Sequence, residues 1–108
     1  MANTTISFSY GGKDYCLEYT RKTVKQREDR GFALSRFVDA PMTVLPDLFA
    51  GAFLANHKYE KRDVIDAIFA KMKDKQVLIE TLTQMYNEPI NALMDEGDEG
   101  NEIAWERD

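Results

Sequence analysis

The chain has 108 residues and a net charge of −5, with 44% apolar and 31% charged residues, the profile of one soluble globular domain rather than a disordered chain. No window approaches the roughly 20 apolar residues of a membrane span, and the first residues lack the charged and apolar regions of a secretory signal. The one cysteine, Cys16, excludes an intramolecular disulfide and a cysteine-built zinc site, so composition sets aside a membrane protein, a disulfide scaffold and a strongly basic nucleic-acid binder.

Residues 5–10 alternate polar and apolar strictly, which places Ile6, Phe8 and Tyr10 on one face of a strand. Gly11 and Gly12 supply a turn, and Tyr15, Leu17 and Tyr19 resume the alternation. The pattern predicts a β-hairpin over about 4–19. Its apolar face must pack on something, because a lone hairpin is marginal in water.

Thr20 is placed to cap a basic helix running from about Arg21 to Arg30, with Gly31 ending it. Phe32, Leu34, Phe37 and Val38 follow as an irregular apolar stretch, either a third strand or a packed loop. Thr43 to Ala55 is apolar around nearly the whole helical circumference, with Pro46 expected in the first turn. A helix of that kind is buried or awaits a partner. Leu48, Phe49 and Phe53 are its candidate partner-contacting face, although core filling is the commoner use of such residues.

A third helix is predicted from about Lys61 to Met72, on the stripe Val64, Ile65, Ile68, Phe69 and Met72. A fourth, capped by Asp74, should run to about Tyr86 with Val77, Leu78, Leu82, Met85 and Tyr86 inward. Asn87-Glu88-Pro89 either interrupts it, since the residue before proline disfavours the α conformation, with a further helical turn or two following, or kinks one continuous helix. The expected fold class is α+β and mainly helical: the hairpin, then four or five α-helices.

The charge is concentrated at the end. Residues 95–108 hold seven acids and one base, a local −6, and residues 1–94 carry +1. The expected organisation is one interaction domain over 1–94 and an acidic, disordered tail over 95–108. Within the tail, Ile103, Ala104 and Trp105 form a short apolar anchor, and Trp105 is a candidate contact residue.

Chemistry-bearing motifs are sparse. His57 is the only histidine, so a metal site there would need carboxylates such as Glu60 and Asp63, at spacings that match no known pattern. A Cys16–His57 catalytic pair requires tertiary proximity that spacing does not establish. Gly11-Gly12-Lys13 lacks the helix that a phosphate loop requires. The basic helix is opposed by Glu28, Asp29 and the acidic tail, so nucleic acid is not an expected partner. No cofactor is implied, and the balance points to a protein-interaction module.

Several segments, taken in order, resemble a known family. Residues 6–15 with 18–24, Pro41-Met-Thr43 with Leu48–Leu54, Lys61–Ile65 and Met85–Ile90 are similar to the small tail assembly chaperones of long-tailed phages and prophages of Gram-positive bacteria. The resemblance covers most of residues 4–94. It implies a protein that coats the long apolar tape-measure protein, keeps it soluble and helps recruit tail-tube subunits. It further implies self-association into a homo-oligomer, a second product made by programmed frameshift whose extension contacts the tail-tube protein, and no active site. The implied location is the host bacterial cytoplasm, with absence from the mature virion. Two alternatives stand beside it: another phage structural or adaptor protein, such as a head–tail completion component, and a small enzyme using Cys16 or His57.

Overall fold

A computed structural model describes residues 4–95 and residue 106. The chain forms a hairpin of β1 (Ile6–Tyr10) and β2 (Lys13–Leu17), then α1 (Arg21–Asp29), a 3-10 turn (Leu34–Phe37), α2 (Pro41–Gly51), α3 (Arg62–Lys71) and α4 (Lys75–Asp95). Four α-helices thus follow the hairpin among the described residues, as an α+β, mainly helical fold. The acidic segment beyond residue 95 and Trp105 lie outside the described residues, apart from Glu106, which is exposed.

The hairpin register pairs Phe8 with Tyr15 and Tyr10 with Lys13. Gly11 and Gly12 both take positive φ, 59° and 79°, which a two-residue turn matched to strand twist requires. Phe8 stacks on Tyr15 with ring centroids 5.2 Å apart. Ile6, Phe8 and Tyr10 are half-buried, and Tyr15, Leu17 and Tyr19 are buried. The hairpin therefore leans its apolar face on the helices.

Thr20 starts α1 with a reciprocal cap. Its hydroxyl accepts from the Thr23 N–H, and its own N–H donates to Thr23 Oγ1 at 2.8 Å. Gly31, at φ 90°, ends the helix, and the Phe32 N–H returns to the Arg27 carbonyl at 2.9 Å. That return aims Phe32 at Tyr86 of α4, with centroids 5.4 Å apart. The apolar stretch beyond it forms the single 3-10 turn, not a third strand.

The second helix departs from its sequence reading at both ends. It begins at Pro41, so Pro41 rather than Pro46 occupies the position where a missing N–H is harmless. Pro46 lies inside the helix and has no donor for the Met42 carbonyl, but Met42 is exposed to water that can serve it. The helix stops at Gly51 rather than Ala55. Ala52, Phe53 and Leu54 continue in tight turns whose N–H groups reach back three residues. At Gly51 a Cβ would collide with the Tyr19 hydroxyl and come within 2.9 Å of Arg27 Nε. The Tyr19 hydroxyl is itself fixed, since it donates to the Leu48 carbonyl. Glycine is thus required here for close approach, and burial pushes the Tyr19 phenol well above its ordinary pKa.

Ile65 and Ile68 of α3 are buried against the same core, with Val64, Phe69 and Met72 packed on it. Asp74, at φ 53°, turns the chain, and its carbonyl accepts from the Leu78 N–H at 2.9 Å. α4 then runs unbroken through Pro89, so of the two readings of 87–89 the single helix is the one that forms. The inward residues Leu82, Met85 and Tyr86 before the proline and Ile90 after it share one face, and their joint burial outweighs one missing N–H. Glu88, the residue before the proline, is also held from outside the helix. Its carboxylate accepts from the Thr4 N–H at 2.9 Å and the Thr4 hydroxyl at 2.7 Å. The inward face of α4 starts at Leu78; Val77, expected inside, is 59% exposed.

Candidate functional site

The structure brings Cys16 and His57 together, through different atoms from those a catalytic pair would use. The Cys16 backbone N–H donates to His57 Nε2 at 3.1 Å, which places the imidazole in the role of acceptor. Asn56 Nδ2 donates to the Cys16 carbonyl and to Glu18 Oε1, each at 3.1 Å. The Glu18 N–H reaches the Ala52 carbonyl at 3.1 Å. The turns after α2 thus supply partners along β2, and His57 belongs to that seam.

Glu60 completes the seam. It accepts from the Tyr15 hydroxyl at 2.8 Å and from Lys13 Nζ at 3.1 Å. These two donors hold its carboxyl below the usual carboxylate range. Burial, reinforced by Glu60, pushes the Tyr15 phenol up. Among the described residues no group of three histidine, cysteine or carboxylate side chains is placed to hold a metal ion. Glu60 and His57 act here as fasteners between the hairpin and the loop.

The candidate contact residues, two on α2 and Phe53 just beyond it, take the core placement that is the commoner use of such side chains. Leu48, Phe49 and Phe53 are all fully enclosed. Phe53 sits edge-on to Tyr15 at 5.6 Å and to Phe49 at 5.2 Å, and Phe49 packs on Phe69 at 5.1 Å. They are core, and a partner does not reach them in this fold. The helix is apolar over most of its circumference because α1, α3 and α4 pack on it, while the hairpin rings Phe8 and Tyr15 meet Phe53 just beyond its end. Trp105 lies outside the described residues.

The exposed large apolar side chains gather elsewhere. Val38 is 83% exposed and Met42 89% exposed, with Phe37 beside them. Val38 closes the 3-10 turn and Met42 opens α2, and the Ala40 N–H bonds the Arg36 carbonyl at 2.8 Å to make one tight corner. Leu93 and Met94 at the end of α4 are a second exposed pair. The sequence reading missed the first corner because it treated Phe32–Val38 and the α2 helix as separate apolar runs. The spacing of Val38 and Met42, four residues apart across the helix start at Pro41, is the signal that marks it.

The two regions divide the surface by chemistry. The seam between hairpin and loop is saturated with hydrogen bonds, and the corner at the start of α2 leaves apolar side chains in water. A patch of that kind on a domain whose own core is closed is suited to covering the apolar face of another chain. Residues 1–108 match the model of a family described as a domain of unknown function, DUF5055, and the chain belongs to that family. No curated protein and no solved structure matches it.

Proposed function

We propose that this DUF5055 chain is a tail assembly chaperone of a long-tailed phage or prophage, which binds the tape-measure protein, keeps it soluble and helps recruit tail-tube subunits. The observation that carries the reading is the exposed apolar corner of Phe37, Val38 and Met42 on a domain that already encloses a core of its own. A holdase needs such surface, since an apolar helix is kept from aggregating only by apolar contact. The collinear resemblance over residues 4–94 supports the same role. Methionine suits the task because its unbranched side chain adapts to varied partners. In this reading the protein acts in the host cytoplasm, associates with itself so that weak sites add along one long client, and leaves before the virion matures. A frameshifted longer form would carry the contact to the tube protein.

Co-expression with a helical fragment of the neighbouring tape-measure protein tests this. The fragment should become soluble and co-purify, and Met42→Ser with Val38→Ser should reduce its recovery. A fragment that stays insoluble and unbound beside well-folded wild-type chain ends the proposal.

A further inference from the structure

Beside the exposed corner lies a pocket of about 300 Å³. Arg27, Arg30, Arg36 and Arg62 line it, with Asp47 as the one acid and Thr43 on the rim. The acid is already engaged: Asp47 accepts from Arg62 Nη2 at 2.8 Å, and Arg62 Nε also holds Asp66 at 2.9 Å. Arg27 donates to the Asp47 carbonyl at 3.2 Å and lies over the Phe32 ring at 5.1 Å. Arg30 and Arg36 have no carboxylate partner among the described residues. The pocket is therefore electropositive and has guanidinium donors to offer.

Pocket and patch share one short stretch of chain. Arg36 immediately precedes Phe37 and Val38, and Thr43 immediately follows Met42. An all-apolar partner laid on the patch would strip water from Arg30 and Arg36 without replacing it, which is costly for an ion. A carboxylate beside the apolar contact removes that cost, and its two oxygens match the fork of a guanidinium.

We infer that the 36–43 corner recognises an amphipathic helix that lays its apolar stripe on Phe37, Val38 and Met42 and sends an Asp or Glu side chain into the arginine pocket. The inference rests on the chaperone reading for the source of that helix, while its chemistry comes from the corner itself.

Two synthetic helical peptides provide the test. They share a Leu and Ala stripe and differ only in Glu or Gln at the flanking position, and each is titrated calorimetrically into the full chain. The Glu peptide should bind about tenfold more tightly, the scale of one charge-assisted pair. That preference should fall with added salt and vanish in Arg36→Gln combined with Arg30→Gln, both at exposed positions. Met42→Ser should weaken both peptides alike. Equal binding of the two peptides, or a preference that survives both arginine substitutions, overturns the carboxylate assignment. Binding of neither peptide, with Met42→Ser instead dissociating copies of the chain in sedimentation, overturns it in favour of a second copy on the patch. Discrimination between the peptides combined with no capture of a tape-measure fragment would leave the inference standing and sink the chaperone reading.

Discussion

The two ends of α2 are made of similar residues and live in different environments. At the C-terminal end Leu48 and Phe49, with Phe53 just beyond, are fully buried, and Gly51 lets the Tyr19 hydroxyl approach the helix. At the N-terminal end Met42, and Val38 just before it, stand in water beside the arginine-lined pocket. Hydrophobicity alone does not separate these ends. What separates them is whether other elements of the same chain arrive to cover them: Tyr19 and Phe69 reach Leu48 and Phe49, and the hairpin rings reach Phe53 just past the helix.

The largest expected effect tests that contrast directly. Phe53→Ala should cost about 3–5 kcal/mol, the usual penalty for emptying a buried aromatic site. Met42→Ala should stay within about 0.5 kcal/mol, as an exposed change does. Chemical denaturation of both variants measures the pair, and a Met42→Ala loss comparable to that of Phe53→Ala would mean that the N-terminal end is covered after all.

Gly51→Ala should cost about 1–3 kcal/mol, because the added methyl meets the Tyr19 hydroxyl where it is tied to Leu48. Its partner test is Gly51→Ala with Tyr19→Phe. Removing the hydroxyl should restore part of the loss, and no restoration would show that the collision lies elsewhere. Thr20→Ala should cost about 1 kcal/mol by removing the reciprocal cap of α1. Thermal unfolding would register it as a drop of a few degrees.

The smallest effect is a pH dependence seated at the seam beyond the closed end. The Glu60 carboxyl in the fold titrates below its ordinary value of 4.5. Its contribution is therefore complete above about that pH and is lost as the pH falls through the folded value. Glu60→Gln should flatten the acid limb of the stability profile without altering peptide binding at the open corner. An unchanged acid limb would show that the seam does not depend on that carboxylate.

Much of the architecture follows from local patterns. The alternation of Ile6, Phe8 and Tyr10, the two turn glycines, Thr20 and Gly31 each specify backbone geometry through neighbours a few residues away, and all stand where the pattern places them. The features that local pattern left open or misplaced depend on contacts distant in sequence. Pro89 is tolerated because residues on both sides of it are buried together and Thr4 grips Glu88 from the far end of the described chain. Val77 is outside although Leu78 in the same turn is buried, because the inward stripe runs through Leu78, Leu82, Met85 and Tyr86 and leaves Val77 on another face. Leu48, Phe49 and Phe53 read locally as core more readily than as a contact face, and it is Tyr15, Tyr19 and Phe69, distant in the chain, that make them core. The arginine pocket was illegible for the same reason: Arg27, Arg30, Arg36 and Arg62 come from three separate elements and the turn after one of them, and no short spacing links them.

The grip of Thr4 on Glu88 also orders events in time. The two residues are 84 positions apart, and a ribosome delivers the first of them long before the second. The hairpin can pair with itself early, since its contacts are local, but the segment leading into it has no anchor until nearly all of α4 has emerged. Early in synthesis the apolar face of β1 and β2 therefore waits on helices not yet made. Closing that long loop therefore cannot precede the emergence of Glu88 from the ribosome.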